Sequence, residues 1–280
     1  MHEDVIAYYD QSYTDYQIIW GLKKYHAMHY GYYDTQHTSH GAALINMNRV
    51  IADRLQLSSS DVVLDAGCGV GGTAIWIAKE YGCRVVGISI VPQHIREARL
   101  LAERHGVAHL VTFEVRDYLA TGCADSSFDA MYGIESMCYA NDKSAFIAEA
   151  YRLLKAGGRL VVADGYASRD PRSREESYVQ SAWLSGWAVP HLATGAACVR
   201  AAESCGFVDA VVHDVTPHIM SSSWGMHLAT LITYPGAWML YAFGVRTRVQ
   251  MGNMRAAFYQ YIALKKGLWI YGILYARKPQ

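Results

Sequence analysis

The stretch DVVLDAGCGVGGTAIWIAKEY, residues 61–81, decides the fold. Val62, Val63 and Leu64 read as a short buried strand, residues 65–72 as a glycine-rich turn, and residues 73–81 as the opening of a helix. A strand feeding a helix through several glycines lets backbone N–H groups and a positive helix end come close to a ligand. Gly67, Gly69 and Gly72 satisfy the G-x-G-x-x-G spacing of dinucleotide sites, a weak signal by itself. Asp65, two residues ahead of the first glycine, is the informative departure. A carboxylate there would repel a pyrophosphate and suits a ligand carrying a cationic amine. The plain alternative is a glycine turn needed only for chain reversal.

Outward from this turn, strands and helices alternate. Strands are expected at 84–90, 111–115, 128–134 and 159–164, with helices at 92–105 and 142–154, the last closed by Lys155-Ala156-Gly157-Gly158. That rhythm predicts a mainly parallel sheet covered on both faces. Upstream, residues 3–25 carry a helical apolar pattern through Val5, Ile6, Tyr9, Tyr13, Tyr16, Ile19 and Trp20. An aromatic loop, HYGYYD at 29–34, and a helix at 39–57 capped by Ser39 follow. Downstream, a helix at 196–204 and strands at 207–215 and 268–276 leave two long connections, 168–194 and 217–267. Connections in compact domains are typically ~4–6 residues, so inserts this long are expected to carry helices and a function. One domain with a cap is the organisation expected for residues 1–280.

Apolar residues make up 52% and charged residues 18%, which is a globular balance and not a disordered one. A formal net charge of +0 argues against a general nucleic-acid binder. Six cysteines without a C-x-x-C pair, behind a polar and acidic start (MHEDVIAYYD), read as reduced thiols of a cytoplasmic protein. Residues 219–245 contain no charged side chain and could span a bilayer by length. Ser221, Ser222, Ser223, Gly225, His227, Pro235 and Gly236 interrupt the run, which reads as a broken, buried or substrate-facing segment without stable membrane insertion.

Together, the turn DAGCGVGG and the alternation resemble the class I S-adenosylmethionine-dependent methyltransferases, most strongly over residues 61–164. HYGYYD, GIESMCYANDK and the ending LYARKP resemble the sterol, tocopherol and prenyl-chain branch. The resemblance implies a Rossmann-like seven-stranded sheet with an antiparallel last strand. The lid would be built from residues 1–57 and the two late inserts. It also implies that Gly67 and Gly69 lie under the methionine part of S-adenosylmethionine, with Asp65 ordering the turn or its ammonium. The family's acidic residue after the second strand is missing from Ile88-Ser89-Ile90, which leaves Ser89 and Gln93 as candidates for the ribose. Asp117 would receive the adenine amino group, or it is simply a turn aspartate. Tyr118 would flank the ring, and Gly133 and Ile134 would lie at the sulfonium.

An activated methyl leaves the protein to position a nucleophile and exclude water, which can contribute ~7–11 kcal/mol. No metal is required, and the histidines form no convincing ligand cluster. An oxygen nucleophile wants a general base worth ~10²–10⁴-fold. An alkene carbon instead generates a carbocation, which aromatic faces stabilise by ~0.5–2 kcal/mol each. Tyr30, Tyr32, Tyr139 and the lid aromatics Trp183, Trp187, Trp224, Tyr234, Trp238 and Tyr241 suit that need. Glu135, directly after the fourth strand, is the candidate proton acceptor or cation stabiliser; a structural partner for the lid is its other reading. The basic run from Arg246 onward is a solvated face, or a diphosphate or membrane contact.

The expected activity is methylation of a small lipophilic isoprenoid at carbon. O- or N-methylation of an aromatic compound, a nicotinamide-dependent oxidoreductase and a cyclase on the same fold are the competitors. The aromatic N-terminal helix could pack on, or exchange with, a neighbouring copy.

Overall fold

The computed structural model describes residues 2–18 and 21–280. Its sheet contains β1 (Val62–Ala66), β2 (Arg84–Ser89), β3 (Val111–Val115), β4 (Phe128–Ile134), β5 (Leu154–Ala167), β6 (Val208–Asp214) and β7 (Trp269–Arg277). They lie in the order β3-β2-β1-β4-β5-β7-β6. The first five pair in parallel, and β7 runs antiparallel to both β5 and β6. Val63, Leu64, Met131, Tyr132 and Leu160 to Ala163 are buried, as strands covered on both faces must be. The chain winds outward from β1 to β3 and then returns to place β4 on the other side of β1. This leaves the crevice of an open α/β sheet at the carboxyl ends of β1 and β4.

Helices α3 (His40–Leu55), α4 (Gly72–Tyr81), α5 (Pro92–Arg104) and α6 (Lys143–Leu153) follow the apolar spacing. Ser39 Oγ accepts from the Ala42 N–H at 3.3 Å, and Asp142 Oδ1 accepts from the Ser144 and Ala145 N–H groups, each capping its helix. Helix α8 (Gly195–Cys205) packs beside β6.

Three expectations are corrected. The first helix is not continuous to residue 25: α1 (His2–Ile18) and α2 (Leu22–Tyr25) are separate, and Gly21, at φ 65°, takes the left-handed conformation that interrupts a helix. Ile19 and Trp20 lie outside the described residues. Lys155 to Gly158 do not close α6 as a loop but open β5, with a register shift where they meet β4. Residues 219–245 are not broken: α9 (Thr216–Ala242) runs unbroken through Pro235. Pro235 is tolerated at an exposed position, where the carbonyl it leaves without a donor, on half-exposed Leu231, is open to solvent. Among the described residues no helix is long and apolar enough to cross a membrane.

The inserts supply α7 (Arg174–Gly186), α9 and α10 (Arg248–Lys265). Helix α10 carries α1 across the carboxyl end of the sheet. Tyr8 donates to Asn253 Oδ1 at 2.9 Å, and Arg246, just ahead of α10, donates to buried Asp15 at 2.7 Å. A carboxylate at that depth needs its partner, because leaving it unpaired costs about 3–5 kcal/mol.

Candidate functional site

Three neighbouring cavities with shared lining residues lie in the crevice. One, about 40 Å³, lies beneath the glycine turn between Asp65, Gly67, Gly69, Thr73 and Tyr132 on one side and His26 to His29 on the other. The second, about 70 Å³, passes from Gly67 and Gly69 to Ser89, His94, Tyr118 and Ser136. The third is an aromatic chamber of about 50 Å³. Met28 lines all three, and Glu135, Tyr9 and Tyr139 line both the second and the third.

The turn is held by close packing. Gly67 has φ +97°, and a Cβ on it would overlap the Cβ of Ser136. Ser136 in turn donates to the Ala66 carbonyl at 2.5 Å, tying the end of β1 to the turn after β4. Asp65 is buried and accepts from the Tyr132 hydroxyl at 2.7 Å. Burial pushes its carboxyl up to about 7, and the hydroxyl pulls it part of the way back. A buried carboxylate with one hydroxyl partner among the described residues is suited to receiving an ammonium group. Further along, His94 is buried against the Tyr9 ring at 4.8 Å, and its Nε2 has no partner among the described residues. Such an atom costs free energy until a ligand pairs with it.

Aromatic rings reach the chamber from five parts of the chain. Tyr9 and Tyr16 come from α1, Tyr30 from the aromatic loop, and Tyr139 from the turn after β4. Trp183 and Trp187 come from the end of α7, and Trp269 and Tyr271 from β7. Trp183 and Trp269 lie 4.6 Å apart between ring centres, Tyr30 and Tyr271 5.5 Å apart, in the range of favourable aromatic contacts. Two acids enter it, Glu135 half-buried and Asp164 buried. Glu135 has φ 51°, a left-handed conformation uncommon for a side-chain-bearing residue, which turns the chain at the end of β4. Its Oε1 accepts from the Tyr30 N–H at 2.7 Å and the Tyr271 hydroxyl at 2.9 Å. Burial raises its carboxyl to about 8 against the pull of those two donors. Asp164 accepts from the Cys138 and Gly165 N–H groups at 2.9 and 2.7 Å, and burial raises it to about 6. Lining the chamber there is no Lys, Arg or His among the described residues.

A methyltransferase-domain family model matches residues 64–162. The chain is 30% identical over 192 residues to methyltransferase phqN of Penicillium fellutanum, covering 67% of this chain and 58% of that one. It is 26% identical over 304 residues to a probable chloroplastic tocopherol O-methyltransferase of rice (Oryza sativa subsp. japonica), covering 100% of this chain and 79% of that one. With the sterol 24-C-methyltransferase of Eremothecium gossypii the identity is 30% over 182 residues, 63% of this chain and 48% of that one. The chain therefore spans 58% and 48% of the length of two of these relatives. Among solved structures, the [4+2]-cyclase SpnF superposes with a TM-score of 0.80 at 22% identity, covering 100% and 97% of the two chains. A geranyl diphosphate methyltransferase superposes at 0.77 and 20%, covering 99% of each. The chain belongs to the class I S-adenosylmethionine-dependent methyltransferases. S-adenosylmethionine is its cofactor.

The donor set fits that group. Asp65 would take the amino-acid ammonium, the bare backbone at Gly67 and Gly69 its close approach, and His94 a hydroxyl or ring nitrogen of the nucleoside. Of the residues expected from sequence, Asp65, Gly67, Gly69, Ser89, Tyr118 and Ile134 line the first two cavities of this methyltransferase. Ser89 Oγ accepts from the Val91 N–H at 3.2 Å, which leaves its own O–H to donate, and Tyr118 donates to the Ser136 carbonyl at 2.9 Å. Gln93 lines neither cavity, nor does Asp117, whose Oδ1 accepts from the Leu119 N–H at 2.9 Å in a local turn. Gly133 lies behind Ile134, its Cα facing Ser136 Oγ. In the chamber, Glu135, Tyr30, Tyr139, Trp183 and Trp187 come together. Tyr32 does not join them: it stacks on His218 at 4.1 Å. The α9 residues Trp224, Tyr234, Trp238 and Tyr241 also lie elsewhere: none lines the chamber, all four are at least one-third exposed, and Trp224 packs on His227 and on Tyr261 of α10. Ser222 and Ser223 on the inner face of α9 donate to, or accept from, Gly31 and Gln260.

The sequence reading missed Tyr9, Tyr16, Met28, His94, Asp164, Trp269 and Tyr271. Asp164 had a signal: it ends the predicted fifth strand beside the fourth. His94 had another, a polar residue directly after the candidate Gln93 at a buried position of α5. His94→Leu should weaken S-adenosylhomocysteine binding two- to tenfold, the worth of one hydrogen bond, with His94→Gln restoring most of it. Burial lowers the imidazole to about 4, so the contact is made by the neutral ring at and above neutral pH. Isothermal titration of both variants checks this; equal affinities for wild type and Leu variant would exclude the contact.

Proposed function

We propose that this methyltransferase methylates a carbon atom of a small lipophilic molecule, an isoprenoid or prenyl alkene, through a carbocation. The observation that carries the reading is the chamber itself: eight aromatic rings and two carboxyls, with no basic side chain lining it among the described residues. The cofactor supplies an electrophilic methyl group on a sulfonium, with a neutral leaving group. The chain's own rings hold the alkene, exclude water and place electron-rich faces around the positive charge that develops on carbon. Glu135 or Asp164 then accepts the proton whose loss restores a double bond. An uncharged substrate end is favoured over a diphosphate, which would need arginine, lysine or a metal close by. Among the described residues no group of three or more His, Cys, Asp or Glu could hold a metal ion.

The sterol relative is named for transfer to carbon and the rice relative for transfer to oxygen. A tertiary amine is the second reading, since aromatic faces and carboxylates also cradle ammonium groups. Residues 1–57, 168–194 and 217–267 would form the lid. The six cysteines are all unbridged, in keeping with a reducing compartment such as the cytoplasm. Incubation with trideuteromethyl-labelled cofactor and a panel of sterols, quinols and prenylated aromatics tests the proposal. A product whose labelled carbon is bonded to carbon by NMR is expected; a label on oxygen or nitrogen would overturn it.

A further inference from the structure

The outer face of α9 has nothing to do with the chamber and is too apolar to be left in water. Ile232, Trp238 and Phe243 are 72%, 59% and 79% exposed, and eight more large apolar side chains between Trp224 and Val245 are at least one-third exposed. Tyr234, Leu240 and Tyr241, a whole number of turns from Ser222 and Ser223, lie on the other side of the helix. The remaining eight, at roughly 100 Å² each, make a patch on the order of 800 Å², against about 300–600 Å² for the largest patch of an ordinary monomer. It matches one side of a standard protein interface, about 800 Å². From Thr216 to Val245 there is no Asp, Glu, Lys or Arg. Helices that lie on a lipid surface carry Lys or Arg along the polar face to hold headgroups; α9 has none. Its exposed Trp, Tyr, Met and Phe are instead the residue types that fill the centre of protein interfaces.

Beside this face is a groove of about 380 Å³, floored by Tyr178 of α7, Leu231 and Tyr234 of α9, and Arg255, Phe258 and Tyr259 of α10. We infer that the outer face of α9 and this groove form a two-fold interface with a second copy of the chain. Two antiparallel α9 helices crossing near Trp238 place Phe243, five residues beyond the axis, opposite residues about five before it. That is the groove of the other copy, and the reverse contact follows by symmetry. Gly236, where a Cβ would find no atom within 4 Å, leaves room for the helices to close near the axis. Arg255, exposed at the groove, then meets the face of the incoming Phe243 ring.

Sedimentation velocity of the full chain should give at least twice the 31.2 kDa chain mass. Ile232→Glu and, separately, Phe243→Arg should each shift it to the single-chain mass. Both should keep the wild-type circular dichroism and a cooperative melt, with the melting temperature lowered only by the stabilisation that assembly supplies, and bind S-adenosylhomocysteine with unchanged affinity, so that failure here is distinct from failure of the cofactor site. Adding Arg255→Glu to Phe243→Arg should restore the assembly, because the new pair is opposite in charge. A wild type of single-chain mass, variants that stay assembled, or no rescue by the double exchange would each overturn the interface. So would monomeric wild type floating with phosphatidylcholine–phosphatidylglycerol vesicles, which would make lipid the occupant.

Discussion

Glu135→Gln should reduce turnover by about 10²–10⁴-fold, the usual worth of a general base, while S-adenosylhomocysteine binding stays within a factor of about three. The amide oxygen can still accept from Tyr30 and Tyr271, so the chamber wall should hold its shape. The pH behaviour separates a chemical role from a structural one. Wild-type Glu135 keeps its proton in the folded state up to about pH 8, whereas the unfolded chain gives it up near 4.5. Between those values the native state binds the extra proton, so stability falls as pH rises, by at most about 1.4 kcal/mol per pH unit for one group. The Gln variant should lose that slope and be the more stable protein at pH 8. Asp65 and Asp164, raised to about 7 and 6, contribute in the same direction over narrower windows and remain in the variant. As a proton acceptor, Glu135 must be ionised, so wild-type kcat/KM should climb with pH toward 8. Stopped assays from pH 5 to 9 and melting curves over the same range measure both. Turnover in the Gln variant equal to wild type would leave Glu135 as a bracket for the lid.

Gly67→Ala should weaken cofactor binding ten- to hundredfold and lower the melting temperature. At φ +97° a side chain is strained by about 1–3 kcal/mol. The added methyl also has nowhere to go, since it would strike Ser136, whose hydroxyl fastens β1 to the turn carrying Glu135. Relief requires moving the very backbone that would approach the cofactor. Gly106→Ala is the control: it too has a positive φ, +71°, but a Cβ there meets nothing within 4 Å. It should lose some stability and no affinity. Calorimetric titration of the two variants decides the matter, and equal losses of affinity would show that the turn is not under the ligand.

The sheet was legible because its strands are buried on both faces and stand out as short apolar runs between turn residues. Residues 128–134 coincide with β4, and 111–115 with β3. The glycine turn was legible because tight curvature restricts which residues can be there. The late inserts were legible only by their length and their aromatic content. Trp183 and Trp187 reach the chamber while Trp224 and Trp238 do not, a matter of which way each helix is rotated on the sheet. A helix apolar all round, like α9, has no preferred face in its sequence. Its orientation follows from Ser222, Ser223 and the partners they find on Gly31 and Gln260.

By itself, the chain between residues 61 and 164 determined a parallel sheet, a glycine turn with a carboxylate ahead of it, and an acid at the end of the fourth strand. Local spacing carries that information, because strand and helix periods and turn geometry act over a few residues. Only the tertiary structure decided that Tyr9 and Tyr16 close over Glu135, and that Asp164, Trp269 and Tyr271 join them. The contacts of Tyr9, Tyr16, Trp269 and Tyr271 with Glu135 cross more than a hundred residues, and those of the last two depend on the register of β7 against β5, where Gly165 faces Tyr271 and Ala167 faces Trp269. A shift of one residue would have turned both rings to the opposite face of the sheet.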